Sequence, residues 1–202
     1  MEVRSPWAIR DVYVDAATGE IVRSVNAIHS QAAIGQGTGV LGALKKMSVN
    51  QTTSTFQAVD KLRPAEAFTL DFRGSISRLN MFLQSGALFN SDISTDSDNT
   101  WDDGPTVDAH VYQGWVHDYY FKRFGRRGMD DRDSEVDSIV HPLARSESSR
   151  QPPNIVGTFI NNAFYCCDGL LVYGDGDGRI FTYLAGAFDV APLLPANTRV
   201  LA

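Results

Sequence analysis

The sequence is poor in cysteine and has no long apolar run. Of its 202 residues only Cys166 and Cys167 are cysteines, and they are adjacent. A bridge between chain neighbours closes a strained ring, so we predict two small, partly buried thiols, with a vicinal disulfide as the alternative. No stretch approaches the roughly 20 apolar residues that span a bilayer, and the first residues lack the basic and apolar regions of a signal peptide. These absences argue against a membrane protein.

Basic charge is also scarce. The chain carries 18 Lys and Arg residues against 24 Asp and Glu residues, a net charge of -6, and no basic stripe interrupts this balance. A nucleic-acid partner is therefore not expected. The hydrophobic fraction of 43% and the length suit a globular protein with one sizeable core, or one domain with an appendage.

Two common enzyme signatures are missing. The stretch Gly35–Gly42 is rich in glycine, but it lacks the Lys-Ser/Thr pair that completes a phosphate-binding loop. No G-x-S-x-G motif is present, which leaves a hydrolase of that type without its nucleophile. Phosphate binding and serine-based hydrolysis are therefore disfavoured.

Short strands separated by turn residues dominate much of the chain. A hairpin is predicted between Ala8–Val14 and Ile21–Ser24, with Gly19 at the left-handed position of the turn. Val25–Gln36 shows no clear periodicity and is interpreted as a connector. Further strands are predicted at Ser54–Val59, Phe68–Phe72 and Val136–Leu143, whereas Ile76–Phe82 fits either a strand or a short helix.

One long helix is predicted at Thr106–Phe124. Thr106 is a suitable N-cap residue, and Gly125 follows the last apolar position, where a helix commonly ends. Apolar residues recur at four-residue spacing and give the helix a broad apolar face. His110 and His117 lie on this helix seven residues apart, a spacing that does not bring both side chains to one zinc ion.

An acidic loop precedes this helix at Asp92–Gly104. Calcium prefers carboxylate and carbonyl ligands of this kind, but the spacing departs from the EF-hand pattern. We interpret the segment as a solvated loop, with calcium binding as the alternative.

The most informative pattern lies near the end of the sequence. Two apolar runs, Asn162–Cys166 and Leu170–Tyr173, are separated by an Asp-Gly pair, which is a strong hairpin signal. The glycine-rich turn Gly174–Gly178 follows the second run. We expect the side chains of Asp175 and Asp177 to accept hydrogen bonds from nearby backbone N–H groups and not to hold a metal.

Several of these segments resemble one family. NNAFY, LVYGDGDGRIF and LAGAFDV, with the helix VDAHVYQGWVHDYYFKRF and the earlier GTGVLG, are similar to the amino-terminal part of thermolysin-like zinc metallopeptidases. This family includes thermolysin, bacillolysin and elastase-type neutral proteases. The resemblance implies an α+β fold: a mostly antiparallel, twisted, β-rich amino-terminal lobe with one long helix at about Thr106–Phe124. Residues 1–33 would end a propeptide, 34–190 would form the lobe, and 191–202 would be a tail that does not match.

The resemblance also implies a site. Members of this family bind a peptide or protein substrate along an edge strand, and Asn162 and Ala163 match their substrate-binding pair. Asp189 matches a carboxylate that helps to hold structural calcium. Zinc and calcium are the cofactors of this family, and its members are secreted.

The zinc motif itself does not follow. The positions that match the His, Glu and His of HExxH are Leu193, Leu194 and Asn197, which supply neither imidazole ligands nor a general base. We therefore expect no catalytic residue and no zinc binding in this chain, as in a truncated and inactive metalloendopeptidase. The alternative is a non-catalytic lobe that binds peptide or a protease. Without a covering half, the segment Ile155–Leu184 is expected to expose an apolar face and to promote self-association.

Overall fold

The computed structural model describes residues 2–5, 8–26, 30–64, 66–166, 169–179, 181 and 183–186. Within these residues the strands form three sheets beside three α-helices, which confirms the α+β fold. None of the described helices is long and apolar enough to cross a membrane. The helices are α1 (Ile76–Ser85), α2 (Gly104–Phe124) and α3 (Pro153–Phe159). The strands are β1 (Glu2–Ser5), β2 (Ala8–Val14), β3 (Ile21–Asn26), β4 (Ser30–Thr38), β5 (Leu44–Thr52), β6 (Phe56–Gln57), β7 (Val59–Asp60), β8 (Ala67–Asp71), β9 (Thr95–Asp96), β10 (Thr100–Trp101), β11 (Val136–Val140), β12 (Ala163–Tyr165) and β13 (Leu170–Tyr173).

The amino-terminal sheet contains the predicted hairpin. β2 pairs antiparallel with β3 on one side and with β1 on the other. Asp15 closes the turn, because its backbone N–H donates to the carbonyl of Glu20 at 2.9 Å and its Oδ1 accepts from the N–H of Ala17 at 2.7 Å. Gly19 has a φ of +74°, the left-handed conformation expected of it.

The second sheet corrects the connector interpretation. Its order is β10-β4-β5-β6-β9, and β4, predicted to be part of a connector, pairs antiparallel with β5 over its whole length. β4 has small residues because other side chains lie against its backbone: a Cβ on Gly37 would be 2.5 Å from Val107 Cγ2. This requirement removes the apolar periodicity that marks most strands. β4 also runs across the boundary expected after residue 33 between propeptide and lobe. That division of the chain stays a prediction.

The third sheet carries the candidate site. Its order is β12-β13-β11-β8-β7, with β11 parallel to both neighbours and the outer pairs antiparallel. Counted over all three sheets, most described strand pairs are antiparallel, as predicted. A core cluster joins this sheet to α1 and α3, and its members include Phe72, Leu79, Ile139, Phe159 and Val172.

The long helix is confirmed, but it begins earlier than predicted. Its N-cap residue is Asp103, and Pro105 occupies the first turn, where its missing N–H is tolerated. Thr106, the predicted cap, lies inside the helix and donates its hydroxyl to the Asp103 carboxylate. Gly125 ends the helix with a φ of +66°. The amino-terminal half of α2 is buried between the second and third sheets.

Two other predictions concern segments outside the long helix. Ile76–Phe82, predicted to be either a strand or a short helix, lies in helix α1. The segment 155–184 keeps its large described apolar side chains largely covered, with Tyr165 at 42% the marked exception. Four large exposed aromatic side chains lie together on the second half of α2: Trp115, Tyr119, Phe121 and Phe124. The uncovered face and the self-association expected from it both stay predictions.

Candidate peptide-binding edge

Strand β12 is one of the two edge strands of its sheet among the described residues, opposite β7. On its inner side the carbonyl of Asn162 accepts from Gly174 N at 3.0 Å, and Cys166 N donates to the carbonyl of Leu170 at 2.8 Å. Backbone groups of successive residues point to opposite sides of a strand, so those of Ala163 point away from β13. Ala163 therefore presents one N–H donor and one carbonyl acceptor at the open edge.

The two consecutive asparagines before this strand have different surroundings. Asn162 is exposed, and its side-chain amide makes no hydrogen bond with any described residue. Asn161 is engaged twice by Asp177: its Nδ2 donates to Asp177 Oδ2 at 3.0 Å, and its Oδ1 accepts from the Asp177 backbone N–H at 2.8 Å. One amide is thus available to a ligand, while the other is part of the protein's own hydrogen bonding.

The glycine-rich turn lies directly against these residues. Gly176 N donates to the carbonyl of Ile160 at 2.8 Å, beside the Gly174 bond described above. A Cβ on Gly174 would be 2.2 Å from the carbonyl oxygen of Ile160, so only glycine allows this approach. Asp177 Oδ1 accepts from Arg179 N at 2.8 Å, which is the backbone hydrogen bond predicted for this aspartate.

The prediction for Asp175 is wrong, because its partner is a histidine. Asp175 Oδ1 accepts from His141 Nδ1 at 2.8 Å, and Asp103 Oδ1 accepts from His141 Nε2 at 3.1 Å. Burial lowers the pKa of His141, but the two carboxylates outweigh it and raise that pKa to about 10. Burial likewise raises the pKa of Asp103, and the hydrogen bond and charge of His141 reverse this to a net lowering. His141 is therefore an imidazolium that joins β11, α2 and the turn.

Arg145 holds the same turn from a second side. Its Nε donates to the carbonyl of Gly176 at 2.9 Å and its Nη2 to the carbonyl of Asp175 at 2.8 Å. Its guanidinium carbon lies 4.9 Å from the centre of the Tyr183 ring. His141 and Tyr183 both have a positive φ, of 46° and 45°, a conformation that side-chain-bearing residues rarely adopt. The backbone is thus strained at His141 and at Tyr183, the two residues that flank the turn in space.

The described residues do not fit a zinc site. Nowhere in the described part of the chain are three His, Cys, Asp or Glu side chains grouped as metal ligands. Both ring nitrogens of His110 are engaged, by Ser48 O at 2.6 Å and Thr69 Oγ1 at 2.9 Å. Those of His141 are engaged by carboxylates, as described above. Asp189, Cys167 and the positions matching HExxH lie outside the described residues.

Two carboxylates of the acidic segment before α2, those of Asp96 and Asp98, form turns. Asp96 Oδ1 accepts from the backbone N–H groups of Asp98 at 3.0 Å and Asn99 at 2.6 Å. Asp98 Oδ1 accepts from Thr100 N at 2.8 Å. Such bonds are typical of Asx turns. The segment is not the continuous solvated loop predicted for it, because β9 and β10 lie within it and Trp101 is buried.

An exposed sheet edge can bind an extended chain by strand addition. A family model also matches most of this chain. Residues 34–192 match the family model described as thermolysin metallopeptidase, catalytic domain. Because this match covers most of the chain, the protein belongs to that family, and the non-catalytic alternative is not favoured.

Individual relatives show the same relationship. The chain is 32% identical over 189 residues to "Extracellular elastase" of Staphylococcus epidermidis, covering 92% of this chain and 32% of the elastase. It is 32% identical over 182 residues to "Bacillolysin" of Bacillus subtilis (strain 168), covering 89% of this chain and 31% of the bacillolysin. The chain thus spans about a third of the length of these relatives. A solved precursor of protealysin from Serratia proteamaculans matches with a TM-score of 0.43 and 22% identity, over 62% of this chain and 32% of that chain.

Sequence reasoning identified the edge but missed its support. Asn161, His141, Asp103 and Arg145 were not predicted to act on it. The doubled asparagine at 161–162 is a visible signal, because it places two amides on opposite sides of one strand. For the histidine and its carboxylates there is no such local signal, since Asp103 and Asp175 are 38 and 34 residues away from it.

Proposed function

We propose that this chain supplies the peptide-binding edge of a thermolysin-type metallopeptidase. The observation that carries the proposal is the outward backbone of Ala163 beside the unengaged amide of Asn162. An extended peptide laid along β12 would exchange backbone hydrogen bonds with Ala163, and the Asn162 amide would bond the peptide backbone. A peptide or protein substrate is accordingly the proposed partner.

The proposal covers binding by this chain and not peptide-bond cleavage. Cleavage in this family requires zinc ligands and a general base, and Leu193, Leu194 and Asn197 stand at the matching positions. A leucine or asparagine side chain cannot replace an imidazole ligand or a proton-abstracting carboxylate. Activity on casein should therefore remain at the level of a mock purification and should not respond to chelators. Calcium binding at Asp189 and an extracellular location belong to the same proposal, the latter supported by the name of the elastase relative.

Two proline substitutions test the edge directly. Ala163→Pro removes an N–H that faces outward, a position where edge strands tolerate proline. We expect the variant to fold and to lose binding of a fluorescein-labelled, acetylated hexapeptide of alternating Leu and Ala, measured by anisotropy. Phe164→Pro is the matched control, since Phe164 faces Val172 across the ladder and its N–H is needed there. It should lower the melting temperature sharply.

A side-chain variant tests the amide. Asn162→Ala should weaken peptide binding by about 1 kcal/mol, or roughly fivefold, the usual value of one hydrogen bond. Asn80→Ala on α1, another exposed asparagine, should bind as the wild type does. Unchanged peptide affinity in both Asn162→Ala and Ala163→Pro would disprove the proposal.

A further inference from the structure

The contacts of Asn161 differ from those expected of a residue that merely ends a strand. Its side chain lies between the strand and the turn Gly174–Gly178 and bonds Asp177 in both directions, once as donor and once as acceptor. An amide facing a carboxylate and a backbone N–H satisfies all of these groups at once. The pair therefore acts as a two-point link between the turn and the strand.

This link continues along the backbone to the open edge. The turn also donates to the carbonyls at both neighbours of Asn161, from Gly176 to Ile160 at 2.8 Å and from Gly174 to Asn162 at 3.0 Å. Four hydrogen bonds thus connect the turn to residues 160–162, immediately before Ala163. The direction in which the Ala163 backbone and the Asn162 amide point is set by this connection.

The far side of the turn is held by charged groups. His141 bonds the Asp175 carboxylate, and Arg145 bonds the carbonyls of Asp175 and Gly176. The turn is therefore fixed to β11 and its following segment on one side and to the edge strand on the other. Such two-sided support is what a binding edge needs, because a small displacement of its donors weakens every hydrogen bond to an extended ligand.

We infer that Asn161 and Asp177 are positioning residues for the peptide-binding edge, and that they set the orientation of Asn162 and Ala163 without touching the peptide. The inference rests on the proposed function, because it concerns the same edge. In this inference the two asparagines have different roles: Asn162 contacts the peptide, and Asn161 orients Asn162.

The amide–carboxylate pair allows a swap experiment in the full 202-residue chain. Asn161→Asp places two carboxylates face to face and removes the Nδ2 donor. The double variant Asn161→Asp with Asp177→Asn restores one amide and one carboxylate at the original net charge, and an asparagine at 177 can still accept from Arg179 N. Asn80→Asp on α1 is the matched control for the added charge, since Asn80 is exposed.

Binding of the Leu/Ala hexapeptide is the first measurement. Asn161→Asp should weaken it about tenfold, the swap should return it to within about threefold of the wild type, and Asn80→Asp should bind normally. Hydrogen exchange of the Gly174 and Gly176 amides is the second measurement. It should accelerate in Asn161→Asp and recover in the swap.

Each outcome decides the inference. Normal binding by Asn161→Asp, or no recovery in the swap, overturns it. If even the wild type fails to bind the peptide, the proposed function has failed. The positioning role of Asn161 and Asp177 is then tested by hydrogen exchange alone, and unchanged exchange in Asn161→Asp overturns that role. A melting temperature measured for every variant separates loss of the edge from loss of the fold, because the swap should melt near the wild-type temperature.

Discussion

Two charged clusters of this protein occupy very different places. Lys45 and Asp108 form an ion pair between β5 and α2, with side chains 4% and 0% exposed. His141 bonds Asp103 and Asp175 at the margin of the third sheet, where the three side chains are 19%, 37% and 13% exposed. The first pair lies in the scaffold between sheet and helix, and the second supports the turn beside the candidate edge.

The two clusters also differ in how their ionisation depends on pH. Burial lowers the pKa of Lys45, but the hydrogen bond and charge of Asp108 outweigh it, and the pKa is raised above the value of a free lysine. The pKa of His141 is raised as well, to about 10. Lys45 is therefore charged near neutral pH in both the folded and the unfolded chain. His141 is charged there only in the folded chain, because its unfolded pKa is roughly 6.5.

The largest effect is expected in the scaffold pair. Asp108→Ala leaves the Lys45 ammonium buried without its partner and should reduce the free energy of unfolding by about 3–5 kcal/mol, measured by urea denaturation. The double variant Lys45→Met with Asp108→Leu removes both charges and should recover much of this loss. Equal losses in the single and double variants would show that the pair contributes through shape and not through charge.

The second effect is a pH dependence that we assign to His141. Its folded pKa lies above its unfolded pKa, so its contribution is fully present below a pH of roughly 6.5 and is lost as the pH rises toward about 10. Across that window the free energy of unfolding should fall by about 1.4 kcal/mol per pH unit. His141→Asn should flatten this slope, whereas the double variant Lys45→Met with Asp108→Leu, which leaves no unpaired buried charge, should keep it. A wild-type slope equal to that of His141→Asn would contradict the assignment.

The smallest effect separates the two aspartates of the turn. Asp175→Asn replaces a charge-assisted hydrogen bond to His141 with a neutral one, which should cost about 1 kcal/mol in thermal or urea unfolding. Asp177→Asn should cost less, because its amide oxygen still accepts from Arg179 N and only the hydrogen bond from Asn161 Nδ2 loses its acceptor. The reverse order would mean that the contacts of Asn161 outweigh the ionic cluster in stabilising the turn.

The parts predicted correctly depend on local patterns. The helix ending at Gly125, the hairpin with Gly19 and the two runs that became β12 and β13 each carry their signal within a few residues. Turn chemistry also predicted that Asp177 would accept a backbone N–H. One prediction failed where distant residues decided the outcome: β4 was taken for a connector. The cap of α2 was missed locally, by three residues, because Asp103 and Thr106 are both suitable N-cap residue types.

The sequence by itself determined the family, the α+β class and the position of the edge strand, because periodicity, turn residues and motif order are local properties of the chain. It also determined that no HExxH follows the matching segment. Only the tertiary structure decided which asparagine is available and which is engaged, and that Asp175 pairs with His141. Hydrogen bonds and ion pairs join groups that are close in space, and a distance of 34 residues along the chain leaves no trace of that proximity in the sequence.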